Sequence, residues 1–269
     1  MSETNVPEPD LELLERPLIP DVAHDLMSRG FARVPGRWQN CEQAWNYART
    51  VFAEASLTDP LHDGMPDLQV VGEFTVPPPE VCQRPFQALH IDFGVPLAGE
   101  VPTDVARFTA LLRDAREDGP GAITRLVPLR RLLAHRSWVD RQVIAQRLRQ
   151  TVTLDRTVEG ILGRIIDVAR KGHQLVPLDA PGHLCGMEFD SLAHERSFFE
   201  ESGLPLTHVE ERVFLGPGEM LVIDNLRTAH GRAGLRSANQ LHQLFVGYPS
   251  LHAENQQLLL ARVLSVFDG

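Results

Sequence analysis

Lysine is almost missing from this 269-residue sequence, in which Lys171 is the only one among 26 basic residues. Enzymes that form a Schiff base with their substrate need a lysine amine, so this class is nearly excluded. Cysteine is also scarce: Cys41, Cys82 and Cys185 are the only three, and they lie far apart. Their number and spacing argue against a disulfide framework and against a zinc site built from cysteines.

Long apolar runs are missing as well. No stretch approaches the roughly 18 consecutive apolar residues that a membrane helix requires. Residues 1–10 are acidic and contain proline, unlike a secretion signal. The net charge of −10 argues against extensive contacts with nucleic acid or an anionic membrane. We therefore expect a cytoplasmic protein with no nucleic-acid or membrane partner, and the sequence leaves its oligomeric state open.

Short alternating runs bounded by turn residues dominate what is present. They predict strands at 31–34, 68–76, 86–93, 105–112, 122–127, 183–189, 208–215, 220–223 and 241–246. Apolar residues at three-and-four spacing predict helices at 21–30, 41–56, 129–134, 139–149, 158–169 and 253–266, the first two capped by Asp21 and Asn40. We expect a flexible tail at 1–17 and one domain at 18–269, with a helical insertion at about 128–170. The fold class is mainly β with flanking helices, either a β-sandwich or a jelly roll.

One predicted strand carries a histidine and a carboxylate on the same face. Side chains alternate along a strand, so His90 and Asp92 point together while Leu89, Ile91 and Phe93 point the other way. An imidazole and a carboxylate placed in this way can occupy two neighbouring positions around one metal ion. The spacing alone also suits a surface hydrogen bond or a capping pair.

A second apolar strand, at 220–223, leads to His230. This histidine follows the strand end and precedes a glycine, so we expect its ring to project from the rim of the sheet. Together with His90 and Asp92 it would complete a facial set of two histidines and one carboxylate, which leaves three positions open and suits Fe(II) and O₂. The pair His208 and Glu210 has the same spacing as His90 and Asp92 and is a weaker candidate.

These segments resemble a known family. The chain is similar to the taurine dioxygenase and clavaminate synthase-like group of Fe(II)- and 2-oxoglutarate-dependent oxygenases. The matching segments are residues 89–94 (Leu-His-Ile-Asp-Phe-Gly) and residues 218–232 (Gly-Glu-Met-Leu-Val-Ile-Asp-Asn-Leu-Arg-Thr-Ala-His-Gly-Arg). Residues 119–124 resemble the family's glycine-rich segment, whose threonine contacts 2-oxoglutarate, and 30–36 resemble its first strand. The resemblance covers about residues 18–248.

The resemblance implies a distorted double-stranded β-helix, or jelly roll, with Fe(II) at one mouth. His90, Asp92 and His230 would be the catalytic iron ligands, and Thr124 would contact the 2-oxoglutarate cosubstrate. O₂ would be consumed together with 2-oxoglutarate to hydroxylate or desaturate a small-molecule substrate, as in specialised metabolism. Halogenases of this group lack the carboxylate ligand, so Asp92 indicates oxygenation or desaturation.

The chain departs from the family at the arginine that binds the distal carboxylate of 2-oxoglutarate. Gln243 lies near the expected position and offers only an uncharged amide. Losing the charge-assisted pair would weaken cosubstrate binding by about 1–3 kcal/mol. We expect an arginine placed elsewhere to supply the cation, with Arg236 ranked before Arg232. A cosubstrate bound differently, or an iron oxygenase independent of 2-oxoglutarate, are the alternatives.

Two other classes stay open on the residues alone. A jelly-roll module could bind metal without turnover, and a zinc hydrolase could use the same ligands with Glu188 or Asp190 as its base. The substrate is not encoded in any motif. Residues 77–85 and the helical insertion are expected to cover the mouth. Three arginines are candidates to meet an acidic substrate group, although surface placement is expected for each: Arg84, Arg107 and Arg125.

Overall fold

The computed structural model describes residues 17–36, 38, 40–76, 86–90, 92, 103–114, 123–134, 191–201, 206–233 and 241–265. In chain order the elements are α1 (Ile19–Arg29), β1 (Phe31–Val34), α2 (Cys41–Ser56), β2 (Gln69–Val76), β3 (Phe86–His90), β4 (Thr103–Arg113), β5 (Ile123–Pro128), α3 (Leu129–Ala134), α4 (Leu192–Glu201), α5 (Leu206–Val209), β6 (Glu211–Phe214), β7 (Met220–Asp224), β8 (Thr228–Ala233), β9 (Leu241–Leu251) and α6 (Ala253–Ser265). None of the helices within these ranges is long and apolar enough to cross a membrane.

Two antiparallel sheets form the body of the fold. One has the strand order β1-β7-β4-β9-β2 and the other the order β3-β8-β5-β6. Apolar side chains from both sheets meet in one buried cluster, made of Phe31, Leu111, Leu126, Leu215, Leu221, Ile223 and Leu241. The sheets therefore pack face to face, and the prediction of a mainly β fold with a few helices is confirmed.

The opposite face of the five-stranded sheet is covered by α1 and α2. Phe52 of α2 stacks on Phe108 of β4 with ring centroids 4.9 Å apart, and both side chains are fully buried. Burying each of these rings stabilises the fold by about 2–3 kcal/mol. Because β4 turns Phe108 toward the helices, the next position, Thr109, faces the other sheet. Arg107 lies at the register shift between Ala106 and Phe108, where this alternation is interrupted, and its guanidinium lies over the Phe108 ring on the helix side.

The helix ends follow local chemistry, with one correction. Asn40 caps α2 as predicted, its Oδ1 accepting a hydrogen bond from the Gln43 amide at 2.9 Å. Asp21 was expected to cap the first helix, and this is wrong because α1 begins at Ile19, with Leu18 at the cap and Asp21 in the first turn. Proline fits the first turn of a helix since it needs no amide partner there, so Pro20 allows the earlier start. Gly30, with φ of 89°, ends α1 in the left-handed region.

Two strand predictions need correction. The strand expected at 208–215 begins only at Glu211, because Leu206 and Val209 are both buried at helical spacing and form the short helix α5. His230 was expected beyond a strand end and instead lies inside β8, which pairs with β3 and β5. The last core strand continues past 246 to Leu251.

Several predictions lie outside the described residues. They are the tail at 1–17 except for Pro17, the covering loop at 77–85, the helices at 139–149 and 158–169 with most of the proposed insertion, and the strand at 183–189.

Candidate metal centre

Two histidines and one aspartate converge where β3 and β8 pair. His90, the last residue of β3, is the register partner of His230 in β8, and their ring centroids lie 4.5 Å apart. Asp92 follows two residues after His90. Its Oδ1 lies 3.3 Å from His90 Nε2 and its Oδ2 lies 2.9 Å from His230 Nε2. The structure thus brings together the three side chains that the sequence analysis singled out as ligands.

This geometry fits a metal ion. Each residue offers one ligand atom, and the three atoms lie within 4.8 Å of one another. Two ligands about 2.1 Å from a metal and at right angles to each other lie about 3 Å apart. The separations between Asp92 and the two imidazole nitrogens bracket that value. Among the described residues, this is the only group of histidine, cysteine and carboxylate side chains arranged to hold an ion.

The protonation state of Asp92 suits a ligand. Burial alone would raise the pKa of its carboxyl group. The electrostatic contacts and hydrogen bonds with the His230 and His90 imidazoles outweigh burial and hold the pKa of Asp92 far below its ordinary range. The carboxylate is therefore ionised at neutral pH, as a metal ligand has to be.

Asn225 fixes the backbone at Asp92. Its amide Nδ2 donates to the Asp92 carbonyl at 2.6 Å and to the Ala106 carbonyl at 2.8 Å, and its Oδ1 accepts from the Asp92 amide at 3.0 Å. Asn225 is fully buried in the turn between β7 and β8. Because Asp92 lies just beyond the end of β3, this clamp replaces the strand pairing that would otherwise hold it.

Glu195 fixes the backbone on the other side of His90. From α4 its Oε1 accepts a hydrogen bond from the Leu89 amide at 2.7 Å, and its Oε2 lies 2.5 Å from Arg125 Nη1. Arg125 Nη2 also donates to Glu210 Oε2 at 2.7 Å. The weaker candidate pair His208 and Glu210 is therefore not a ligand pair in this structure, since Glu210 binds arginine.

A buried ion cluster lies behind the turn that carries Asn225; it consists of Arg107, Asp59, Asp224 and Arg227. Arg107 Nη2 lies 2.5 Å from Asp59 Oδ2 and 3.0 Å from Asp224 Oδ2, and Arg227 Nη2 lies 3.0 Å from Asp59 Oδ1. Such a cluster offsets the cost of desolvating its charges only when the geometry is good, and here each guanidinium meets both carboxylates.

The expectation that Arg107 and Arg125 lie on the surface is wrong. The side chains of both are 1% exposed and paired with carboxylates. Arg107 lies at a register shift in β4 with its guanidinium over the Phe108 ring, and Arg125 faces away from the cluster between the sheets, where Glu195 and Glu210 meet it. The partners of both arginines come from distant segments that a single sequence does not connect. Each holds an element near the candidate metal centre and is committed to a protein carboxylate.

Two of the predicted cosubstrate residues share one face of the smaller sheet. Thr124 of β5 and Arg232 of β8 are register partners and both are buried. Arg232 lies two residues after His230, so the two side chains point to the same face. The partner of His230 in β5 is Leu126, which belongs to the cluster between the sheets, so this face lines the interior of the sandwich.

The other two predicted cosubstrate residues are Gln243, which the structure describes, and Arg236, which lies outside the described residues. Gln243 lies on β9, where its Nε2 donates a hydrogen bond to Asp92 Oδ2 at 3.1 Å. Arg84, Glu188 and Asp190 lie outside the described residues as well.

Asn225 and Glu195 are the residues that sequence reasoning missed. Asn225 did carry a signal, because it follows the strand at 220–223 within the second matching segment, where only its histidine was given a role. Glu195 carried none, since it reaches Leu89 from a helix 106 residues further along the chain.

Comparisons with solved structures find similarity at low identity. The chain is similar to PvcB, an Fe, alpha-ketoglutarate-dependent oxygenase from an isonitrile synthetic pathway (13% identity, TM-score 0.47, covering 88% of this chain and 84% of that one). It is also similar to a taurine dioxygenase from Burkholderia xenovorans (14% identity, TM-score 0.47, 90% and 89% covered). Asparagine oxygenase, AsnO, is a third (14% identity, TM-score 0.41, 87% and 90% covered).

No family model and no curated protein matches the sequence. The oxygenase group that the motifs resemble is thus represented among the similar structures. At these identities and TM-scores, a function has to follow from the geometry of the site itself.

Proposed function

We propose that this protein is a non-heme Fe(II) oxygenase that uses 2-oxoglutarate and O₂ to hydroxylate or desaturate a small molecule in the cytoplasm. The observation that carries the proposal is the convergence of His90, Asp92 and His230 on one point. Two imidazoles and one carboxylate on a single face leave three adjacent positions for exogenous ligands. The proposed scaffold is a distorted double-stranded β-helix spanning 18–269, with a helical insertion at about 128–170.

The bound iron would supply electron transfer to O₂ at a site that also chelates the keto acid. O₂ takes up four electrons, two from 2-oxoglutarate, which becomes succinate and CO₂, and two from the substrate. One oxygen atom enters succinate. The other enters the substrate as a hydroxyl group, or leaves as water when the substrate is desaturated.

The chain's own residues would place the reactants. His90, Asp92 and His230 hold the ion, and the Asn225 clamp and the Glu195 contact keep the Asp92 and Leu89 backbones in place. Rigid support of this kind keeps the open positions in a fixed geometry during turnover.

A cation is also needed to offset desolvation of the dianionic cosubstrate. Arg232 would supply this cation from the buried face beside His230, with Thr124 as its register partner, which makes Arg232 the preferred anchor of the distal carboxylate among the described residues. Arg236 remains a second proposal from the sequence.

One specific observation favours a second candidate function, an iron oxygenase that does not use 2-oxoglutarate. Gln243 stands near the position where the family's arginine binds the distal carboxylate. A zinc hydrolase is less well supported. Three described carboxylates on the surrounding elements, Glu195, Glu210 and Asp224, are bound to arginines rather than free to act as a base.

The test is O₂-dependent formation of succinate from 2-oxoglutarate by the Fe(II)-loaded protein. We expect the wild type to form succinate slowly even without substrate. His230→Ala should abolish this, while His242→Ala, which changes a histidine on the opposite face of β9, should not. If O₂ is consumed without 2-oxoglutarate, the second candidate function is correct. If neither is consumed and Fe(II) does not bind, the oxygenase proposal fails.

A further inference from the structure

The side-chain amide of Gln243 contacts Asp92, one of the three candidate metal ligands, directly. Its Nε2 donates to Asp92 Oδ2 at 3.1 Å. Gln243 pairs with Leu111 of β4 and with Phe74 of β2, so the strands on both sides of β9 hold its backbone. Alternation places it on the face of β9 that also carries Leu241, a member of the cluster between the two sheets.

A carboxylate ligand can occupy one or two positions around an ion. If both oxygens of Asp92 bound iron, only two positions would remain open. A chelating keto acid takes two positions, so O₂ would have none. The reaction therefore needs one carboxylate oxygen to be kept away from the ion.

We propose that Gln243 is a positioning residue that holds Asp92 Oδ2 by its amide N–H and thereby leaves Oδ1 as the one oxygen for the metal. This inference rests on the proposed function and deepens it. Asp92 Oδ1 lies 3.3 Å from His90 Nε2 and Oδ2 lies 2.9 Å from His230 Nε2, so each oxygen adjoins one imidazole, and the hydrogen bond from Gln243 is what distinguishes the two oxygens. Because the amide is neutral, Gln243 orients the carboxylate without neutralising its charge.

The proposal also accounts for the departure from the family at this position. A glutamine that is committed to Asp92 is not the anchor of the cosubstrate. The distal carboxylate of 2-oxoglutarate then depends on a cation elsewhere, and Arg232 with Thr124 fits that requirement.

The test is metal affinity measured without cosubstrate, using Co(II) as a probe whose absorption reports coordination. Gln243→Met removes the N–H donor and keeps nearly the same side-chain length. We expect its Co(II) dissociation constant to rise about 10- to 100-fold, the usual cost of losing a partner of a metal ligand. The Co(II) spectrum should also change, because Asp92 becomes free to bind through both oxygens.

Two further variants keep the test decisive. Gln243→Asn withdraws the amide by one methylene, so it should weaken Co(II) binding as Gln243→Met does. Gln243→Lys should weaken Co(II) binding further, because its positive charge pairs with Asp92 and repels the metal ion. His242→Ala, on the opposite face of β9, is the matched control and should bind Co(II) as the wild type does.

The contrary outcomes are distinct. If Gln243→Met and Gln243→Asn bind Co(II) normally but lose affinity for 2-oxoglutarate, the amide contacts the cosubstrate and the proposal is overturned. Normal binding of both metal and cosubstrate would also overturn it while leaving the oxygenase function intact. Failure of the wild type to bind Co(II) or Fe(II) would contradict the proposed function itself.

Discussion

Replacing Asn225 by alanine tests whether the clamp on Asp92 organises the metal centre. The side chain makes three hydrogen bonds from a fully buried position, two to Asp92 and one to Ala106. At about 1 kcal/mol for each bond, Asn225→Ala should lower the free energy of unfolding by about 3 kcal/mol. In a chain of this size the melting temperature should fall by about 6–12 °C. Urea denaturation and thermal melting of the apo protein measure both values.

The same variant should lose metal affinity. Without the clamp, the Asp92 backbone is free to leave the geometry that brings its carboxylate to the two histidines. We expect the Fe(II) dissociation constant to rise about 10- to 100-fold. The matched control is Thr228→Val, which removes one buried hydrogen bond, from Thr228 Oγ1 to the Gly30 carbonyl at 3.0 Å, in the adjoining strand β8.

The control should lose about 1 kcal/mol of stability and keep its affinity for Fe(II). If Asn225→Ala is destabilised but binds Fe(II) as the wild type does, Asn225 serves the fold alone. The reasoning about the clamp would then be refuted.

Three other predictions follow from the buried contacts. Glu195→Gln should retain the hydrogen bond from the Leu89 amide but leave Arg125 without one of its charge partners. The free energy of unfolding should then fall by about 3 kcal/mol in urea denaturation, and an unchanged midpoint would contradict this. Burial alone raises the pKa of Asp59, but the charges of Arg107 and Arg227 lower it on balance. The stability gained from this carboxylate is therefore present above its unfolded pKa and is lost as the pH falls through the lower folded pKa. Asp59→Asn should therefore reduce stability at pH 7 and flatten the acid limb of a stability–pH profile, and an acid limb as steep as that of the wild type would argue against it. Arg232→Met should raise the KM for 2-oxoglutarate about 10- to 100-fold with little change in Fe(II) affinity; equal loss of both would assign Arg232 to the metal centre instead.

The residues of the candidate metal centre could be singled out from the sequence because both parts of the site are local patterns. Strand alternation alone places His90 and Asp92 on one side, and a second apolar strand leads directly to His230. The prediction that His230 lies beyond a strand end was wrong, because Thr228 and its neighbours have no alternation strong enough to predict β8. Its convergence with the other two side chains depends on pairing between β3 and β8, which the local patterns do not contain.

The supporting contacts could not be predicted because they join segments that are far apart in the chain. Arg107 pairs with Asp59 and Asp224, and Glu195 reaches Leu89, through tertiary packing. A charged residue in a strand has no periodic signal that distinguishes a buried ion pair from a solvent-facing position. Charged residues are rarely buried, so the sequence predicts a surface position for each of them. This prediction fails where several opposite charges are buried together.

The most direct test of the account is an anaerobic absorption spectrum of the Fe(II)-loaded protein, recorded before and after adding 2-oxoglutarate. Chelation of the keto acid at an iron held by His90, Asp92 and His230 should produce a visible charge-transfer band that requires both iron and 2-oxoglutarate. His230→Ala should not develop the band. A wild-type protein that binds Fe(II) but shows no band at saturating 2-oxoglutarate would contradict the claim that this site uses the keto acid.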